Sequence, residues 1–292
     1  MLFVSLGLSA AACSVDSRQV ETLPIPPFAS GSGAAASREG PTQVEPQPPA
    51  RSDSLVSAAA CAPLIQFVVD TSGSMNWVAG TERVPMSDEQ SKWKITQPAL
   101  AAAIAGLPDD VVVGLTYYPN TSQQSAECYR PEVGAALAPL SAEHRTIIQQ
   151  VNQATTPFGG TPTHAAYEFG VQQLQASTLE GPRFSLLLTD GIPTYTRECA
   201  GNGRERVDSA PLIRDVEADL QSGIRTFVIG LPGSEEARAE LSRMASVGGT
   251  APPGCSHEGP SFCHFDTTSE ADFSRALNRA LAESTQSTLA CD

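Results

Sequence analysis

Leu64 to Met75 reads LIQFVVDTSGSM. Its first half is an almost unbroken apolar run, rich in β-branched and aromatic residues and far too short to span a membrane, which is the pattern of a strand buried on both faces. The run stops at Asp70. Ser72, Gly73 and Ser74 follow, so a carboxylate and two hydroxyls share one tight turn at the carboxyl end of a strand. All are hard oxygen donors of the kind that suit Mg²⁺.

Two later stretches belong with it. Phe184 to Gly191, FSLLLTDG, is a second apolar run ending in a carboxylate, Asp190, and a parallel sheet sets that group on the same edge as Asp70. Gly159-Gly160-Thr161-Pro162-Thr163 offers glycines for close backbone approach, and Thr161 is expected to open a helix continued by Ala166, Phe169 and Leu174.

In that order, D-x-S-x-S, G-G-T-x-T and T-D-G resemble the metal-ion-dependent adhesion site of von Willebrand factor type A domains, found in integrins, collagen-binding proteins and many bacterial surface proteins. The resemblance implies that Asp70, Ser72 and Ser74 form a first ligand loop, Thr161 a second and Asp190 a third. The ion implied is Mg²⁺, with Mn²⁺ or Ca²⁺ as substitutes, held partly through water. It also implies a strand order 3-2-1-4-5-6, with Asp70 and Asp190 on adjacent strands where the order reverses. Open α/β sheets bind ligands at that point for reasons of topology alone. The function implied is adhesive or scaffolding, a protein partner presenting Asp or Glu to the metal.

The rest of the chain fits one such domain. Strand patterns at Val111 to Tyr118, Glu132 to Leu140 and Ile224 to Leu231 alternate with helical patterns, the signature of a doubly wound, mostly parallel six-stranded α/β sheet with helices on both faces. Among the helices, Ser141 to Ala154 places Ile147, Ile148 and Val151 on one face, and Ser209 and Pro211 open another. A further helix spans Glu235 to Val247, a short strand His264 to Thr267, and Ser269 and Asp272 form a capping box for the last helix. The helix before Val111 contains Pro98, so either Thr96 caps it or it kinks there.

Of the 292 residues, 61–292 read as this domain, 14–60 as a Pro, Ser and Ala-rich tether without apolar period, and 1–13 as a signal. Such a tether cannot offset its ordering entropy by burial and spans on the order of 40 Å. MLFVSLGLSAAAC resembles a bacterial lipoprotein signal cleaved before Cys13, although no Lys or Arg precedes the apolar stretch and Ala10 stands where leucine is usual. A simple secretory signal is the alternative. With Cys13 lipidated, the chain is expected in the cell envelope, anchored to the outer membrane or cell surface through lipid only. A net charge of −14 argues against nucleic-acid and anionic-membrane partners, which need basic patches. A monomer is expected.

Setting Cys13 aside leaves six of the seven cysteines, an even number that suits disulfides in an oxidising compartment, although sequence alone does not choose among their pairings. The ends of a domain tend to lie close, which favours Cys61 with Cys291. Cys255 and Cys263 most simply close a small loop, leaving Cys128 with Cys199 across two loops at the metal end.

Two rival chemistries remain. A metal-assisted hydrolase lacks H-E-x-x-H, G-x-S-x-G and a phosphate loop here, and His164, the one histidine near the metal residues, reads as a solvated first-turn residue. Zinc on Cys255, His257, Cys263 and His264 has suitable ligand types with unsuitable spacing. A third possibility is a structural surface protein whose metal site is not used for binding. Partner specificity is expected from the loops Asn76 to Ser91, Tyr118 to Arg130 and Ile192 to Asp208, the last carrying Arg197, Arg204 and Arg206.

Overall fold

The computed structural model describes residues 61–79, 89–120, 128–130, 134–267 and 269–286. The expected signal, Cys13, the tether and Cys291 lie outside the described residues, as does most of the loop before Ser91.

β1 (Leu64–Asp70) and β2 (Val112–Tyr118) are buried along their whole length, as their continuous apolar character requires. β1 runs parallel to β2 on one side, with Asp70 opposite Tyr118, and to β4 (Arg183–Thr189) on the other, with Val69 opposite Leu188. β5 (Ile224–Gly230) continues the parallel set beyond β4, and the two-residue β6 (Phe265–Asp266) ends it. β3 (Gly134–Pro139) pairs antiparallel with β2 and forms the opposite edge. The resulting order is β3-β2-β1-β4-β5-β6. Sequence-adjacent progress reverses between β1 and β4, so their carboxyl ends flank the crevice of the fold.

Side chains of β1 alternate between two cores. Ile65, Phe67 and Val69 pack with Leu100 and Ile104 of α1 (Lys92–Ala105), Ile148 of α2 (Ala142–Ala154) and Phe273 and Leu277 of α6 (Glu270–Gln286). Leu64 and Val68 pack with Tyr167 and Leu174 of α3 (Thr163–Ala176), Val216 of α4 (Ala210–Gln221) and Leu241 and Met244 of α5 (Arg238–Val247). Among the described residues, three helices therefore cover each face.

Local chemistry sets the helix ends. Ser141 accepts a hydrogen bond from the His144 amide at 3.1 Å to begin α2, and Ser269 accepts one from the Asp272 amide at 3.2 Å while donating to its carboxylate at 2.7 Å. Several expectations need correcting. α1 begins at Lys92, with Ser91 as its cap, and runs through Pro98; Thr96 is an interior residue. Proline there removes one amide donor and crowds the carbonyl four residues earlier, but the adjacent Gln97 ties α1 to α2, its carbonyl accepting from Asn152 Nδ2 at 3.0 Å and its side-chain amide donating to the Asn152 carbonyl at 2.6 Å. Pro162, not Thr161, flanks the start of α3. Ile147 is 41% exposed while Ile148 is buried, so the apolar face of α2 is narrower than its sequence implies.

Candidate metal centre

Asp70 closes β1 and is completely buried. Its Oδ1 accepts the Ser72 amide at 2.8 Å and its Oδ2 the Thr189 hydroxyl at 2.7 Å. The Ser72 and Ser74 hydroxyls lie 3.1 Å apart. Ser74 in turn donates to Asp190 Oδ1 at 3.0 Å, which links the first and third expected ligand loops directly. The structure therefore brings Asp70, Ser72, Ser74 and Asp190 into one hydrogen-bonded cluster above the β1 and β4 ends.

The loop bearing Thr161 reaches this cluster through backbone. Gly73 donates its amide to the Gly159 carbonyl at 2.9 Å, and a Cβ on Gly73 would lie only 3.1 Å from that oxygen. At Gly160 a Cβ would fall 2.6 Å from the Tyr195 ring, so glycine is what lets the loops nest. Thr161 is buried, with its amide donating to Thr194 Oγ1 at 2.7 Å and its carbonyl accepting the Thr194 amide at 2.9 Å. These contacts hold its backbone beside the crevice; its hydroxyl is not part of the bonded cluster.

Two carboxylates so close and so dry are electrostatically unfavourable. Burial, reinforced by the Asp190 charge, pushes the Asp70 carboxyl up to about 7. Among the described residues the counter-charge is Lys92, at the first turn of α1, whose ammonium pairs with Asp190 Oδ2; the two side chains are 6% and 2% exposed. Nothing in the local sequence marks this lysine. Thr189, which steadies Asp70, was equally unmarked, although it is the residue just before Asp190.

Hard oxygen donors, two of them carboxylates and only one offset by a cation, fit Mg²⁺ or Mn²⁺. The lone cysteine and histidine alternatives do not gather in the same way. Among the described residues no group of three or more His, Cys, Asp or Glu side chains could hold a metal. Cys255 is joined to Cys263, with Cα atoms 5.0 Å apart, so these thiols are unavailable to zinc. His257 hydrogen-bonds Ser246 at 3.0 Å, and His264 Nδ1 meets Ser242 Oγ at 2.8 Å.

The other histidine expectation also changes. His164 is buried, not solvated, and its Nε2 lies 2.6 Å from Asp215 Oδ2 on α4. A row of Ser242, His264 and Asp266 superficially suits nucleophilic chemistry, with His264 Nε2 3.6 Å from Asp266. Ser242 has no exposed surface and accepts the Cys263 amide at 3.2 Å, so no substrate carbonyl reaches it.

Cys128 is joined to Cys199, with Cα atoms 5.5 Å apart. This bridge connects the loop after β2 to the loop after Asp190, at the same edge of the sheet. Cys61 is also disulfide-bonded; Cys291, its expected partner, lies outside the described residues. In the loop after Asp190, Arg197 pairs with Glu168 and Arg206 with Glu236, all at the surface.

The model of the von Willebrand factor type A domain matches residues 65–271. Similar solved structures include the PilB minor pilin from Streptococcus sanguinis, at 18% identity and a TM-score of 0.57 over 79% of this chain and 63% of that one. The pilus adhesin SpaC from Lactobacillus rhamnosus GG follows at 19% and 0.56, over 78% of this chain and 31% of that one. A von Willebrand factor type A protein from Catenulispora acidiphila gives 14% and 0.50, over 77% and 43%. The match therefore spans less than two thirds of the pilin and under a third of the adhesin. No functionally curated protein matches the chain.

Proposed function

This chain belongs to the von Willebrand factor type A domain family, and from that premise we propose that it is a metal-ion-dependent protein-binding module, adhesive or scaffolding in role. The observation that carries the reading is the direct hydrogen-bonded contact of the Asp70, Ser72 and Ser74 turn with Asp190. Asp70, Ser72, Ser74 and Asp190 would hold the ion, with Thr161 approaching from the neighbouring loop. When bound, the ion supplies a Lewis-acidic position that a carboxylate of a partner protein completes. The protein's own contribution is preorganisation: Thr189 and the Ser72 amide fix the Asp70 carboxylate, and the Gly73 to Gly159 bond fixes the loops relative to each other.

Export supports the same reading, because the Cys128–Cys199 and Cys255–Cys263 bridges persist in oxidising compartments. Display through a lipid on Cys13 is part of this proposal. Cys13→Ser is expected to release the protein from membrane fractions without altering the domain, and a variant still retained there would contradict the anchor. The binding function is tested by affinity capture from the surface proteins of the native cell, in Mg²⁺ against a chelator. Partners recovered only with Mg²⁺ are expected; the same partners recovered equally in chelator would overturn the metal dependence.

A further inference from the structure

The chain carries sixteen arginines and only two lysines, Lys92 and Lys94. Lys94 is exposed on the second residue after Lys92 in α1, while Lys92 is buried against Asp190. A protein that draws almost all its positive charge from arginine thus places one of its two lysines at the most charge-sensitive point of the fold.

The surroundings of Lys92 are shaped for an ammonium. Its amide donates to the Trp77 carbonyl at 2.9 Å, which anchors the start of α1 beside the serine turn. The ammonium lies 6.0 Å from the Trp77 ring centroid. On its other side is Gly233, at φ +99°, where a Cβ would come within 2.8 Å of Nζ. A compact charge on a flexible four-carbon stem fits beside Gly233 and can also leave. Trp77 and Gly233, on either side of the head group, are each only half-buried, so solvent is close by.

Each oxygen of Asp190 has a partner in this arrangement, Oδ1 in Ser74 and Oδ2 in Lys92. An ammonium and a divalent ion on one buried carboxylate repel each other strongly in a poorly polarisable setting, so the two compete for Asp190. We propose that Lys92 is a tethered counter-ion, which neutralises Asp190 in the metal-free protein and is released toward solvent when a divalent ion binds. This rests on the metal-binding reading above and adds regulation to it: the lysine sets the ion affinity below what the oxygen donors alone provide, and the ion unmasks a positive charge beside the partner's docking position.

Two measurements test it. Calorimetric titration with Mg²⁺ compares the full chain with Lys92→Met and Lys92→Gln, the second variant guarding against a folding defect in the first, each checked by circular dichroism. Removing a cation adjacent to a ligating carboxylate is expected to tighten Mg²⁺ at least about tenfold in both variants. Amine acylation by an N-hydroxysuccinimide ester, mapped by peptide mass spectrometry, is expected to modify Lys92 far more slowly than Lys94 without Mg²⁺, and Mg²⁺ should accelerate Lys92 several-fold while leaving Lys94 unchanged. Mg²⁺ bound with equal affinity by all three proteins, with Lys92 labelling unaffected, would make Lys92 a fixed structural pair and overturn the proposal while leaving the metal reading intact. Mg²⁺ bound by none of them would remove the metal reading and this proposal together.

Discussion

Two buried polar clusters sit on different strands of this sheet, and they treat charge in opposite ways. Around Asp70 and Asp190, two carboxylates share one ammonium, and the Asp70 carboxyl is pushed up to about 7 by burial and by its neighbour. Around His264, burial instead pushes the imidazole down to about 4, with Arg238 adding to the effect and Asp266 opposing it. There the charges that remain are matched, since Arg238 Nε donates to Asp266 at 2.9 Å. One cluster keeps negative charge that a proton or a further cation relieves; the other holds a neutral histidine, a serine and an ion pair. A surplus of unbalanced charge at a topological switch point is the physical mark of a ligand site, and a balanced cluster is the mark of structure.

Each cluster has its own disulfide, and the largest expected effects lie there. Cys128–Cys199 closes a separation of 71 residues and Cys255–Cys263 one of 8, which by chain entropy correspond to upper estimates of roughly 4 and roughly 2.5 kcal/mol. Denaturant titration of the two double Cys→Ser variants should therefore show the larger loss for Cys128 and Cys199. The same variant should keep its Mg²⁺ affinity, because the proposed ligand turn directly follows β1, and should bind a protein partner more weakly through a less preorganised loop. Equal destabilisation by the two variants would contradict the chain-entropy account.

Acid separates the clusters next. An ion must displace the proton that Asp70 holds below about pH 7, so Mg²⁺ affinity measured by calorimetry is expected to fall on the order of 100-fold between pH 7 and pH 5. Stability without metal follows opposite signs at the two places. Asp70, raised from 3.8 to about 7, contributes stability that is present below its unfolded value and lost as pH rises through the folded one. His264, lowered from 6.5 to about 4, contributes stability that is present above its unfolded value and lost as pH falls through the folded one. Thermal melts in chelator should show Asp70→Asn gaining relative stability as pH rises from 5 to 8, and added Mg²⁺ should flatten that difference. An identical pH profile for Asp70→Asn and the parent protein would show that Asp70 is not charge-frustrated.

The smaller effect concerns the balanced cluster. His264→Ala removes one of the two hydrogen-bond partners of the Ser242 hydroxyl, leaving the Cys263 amide, and is expected to cost about 2 kcal/mol in denaturant titration, with Mg²⁺ affinity unchanged. A parallel loss of metal binding would mean that the two clusters are coupled through β5.

The same contrast explains what could be read from the chain before folding. Asp70 and Asp190 were legible because each ends a continuous buried strand, and a carboxylate at such a place is conspicuous against its own neighbours. Helices on both faces followed from the alternation of periods, and the strand order from the resemblance to von Willebrand factor type A domains. Lys92 was illegible: its partner is 98 residues away, and nothing local distinguishes it from Lys94. His164 failed for the same reason, since the first turn of a helix is ordinarily wet and Asp215 arrives from α4, 51 residues later. Pro98 left two readings open, a helix capped at Thr96 or one kinked at the proline, and the helix that starts at Lys92 excludes the first. A local rule against proline in helices was outweighed by the Ser91 cap and by the packing of Leu100 and Ile104 into the core.

The central claim is that the cluster at the ends of β1 and β4 exists to hold a divalent cation. Calorimetric titration of Mg²⁺ or Mn²⁺ into the parent protein and Asp70→Ala at pH 7.5 tests it most directly, with circular dichroism confirming that β1 remains folded behind the substitution. The account predicts saturable binding of one ion by the parent and a loss of roughly 100-fold or more in the variant. Equal affinity in the two folded proteins would contradict it.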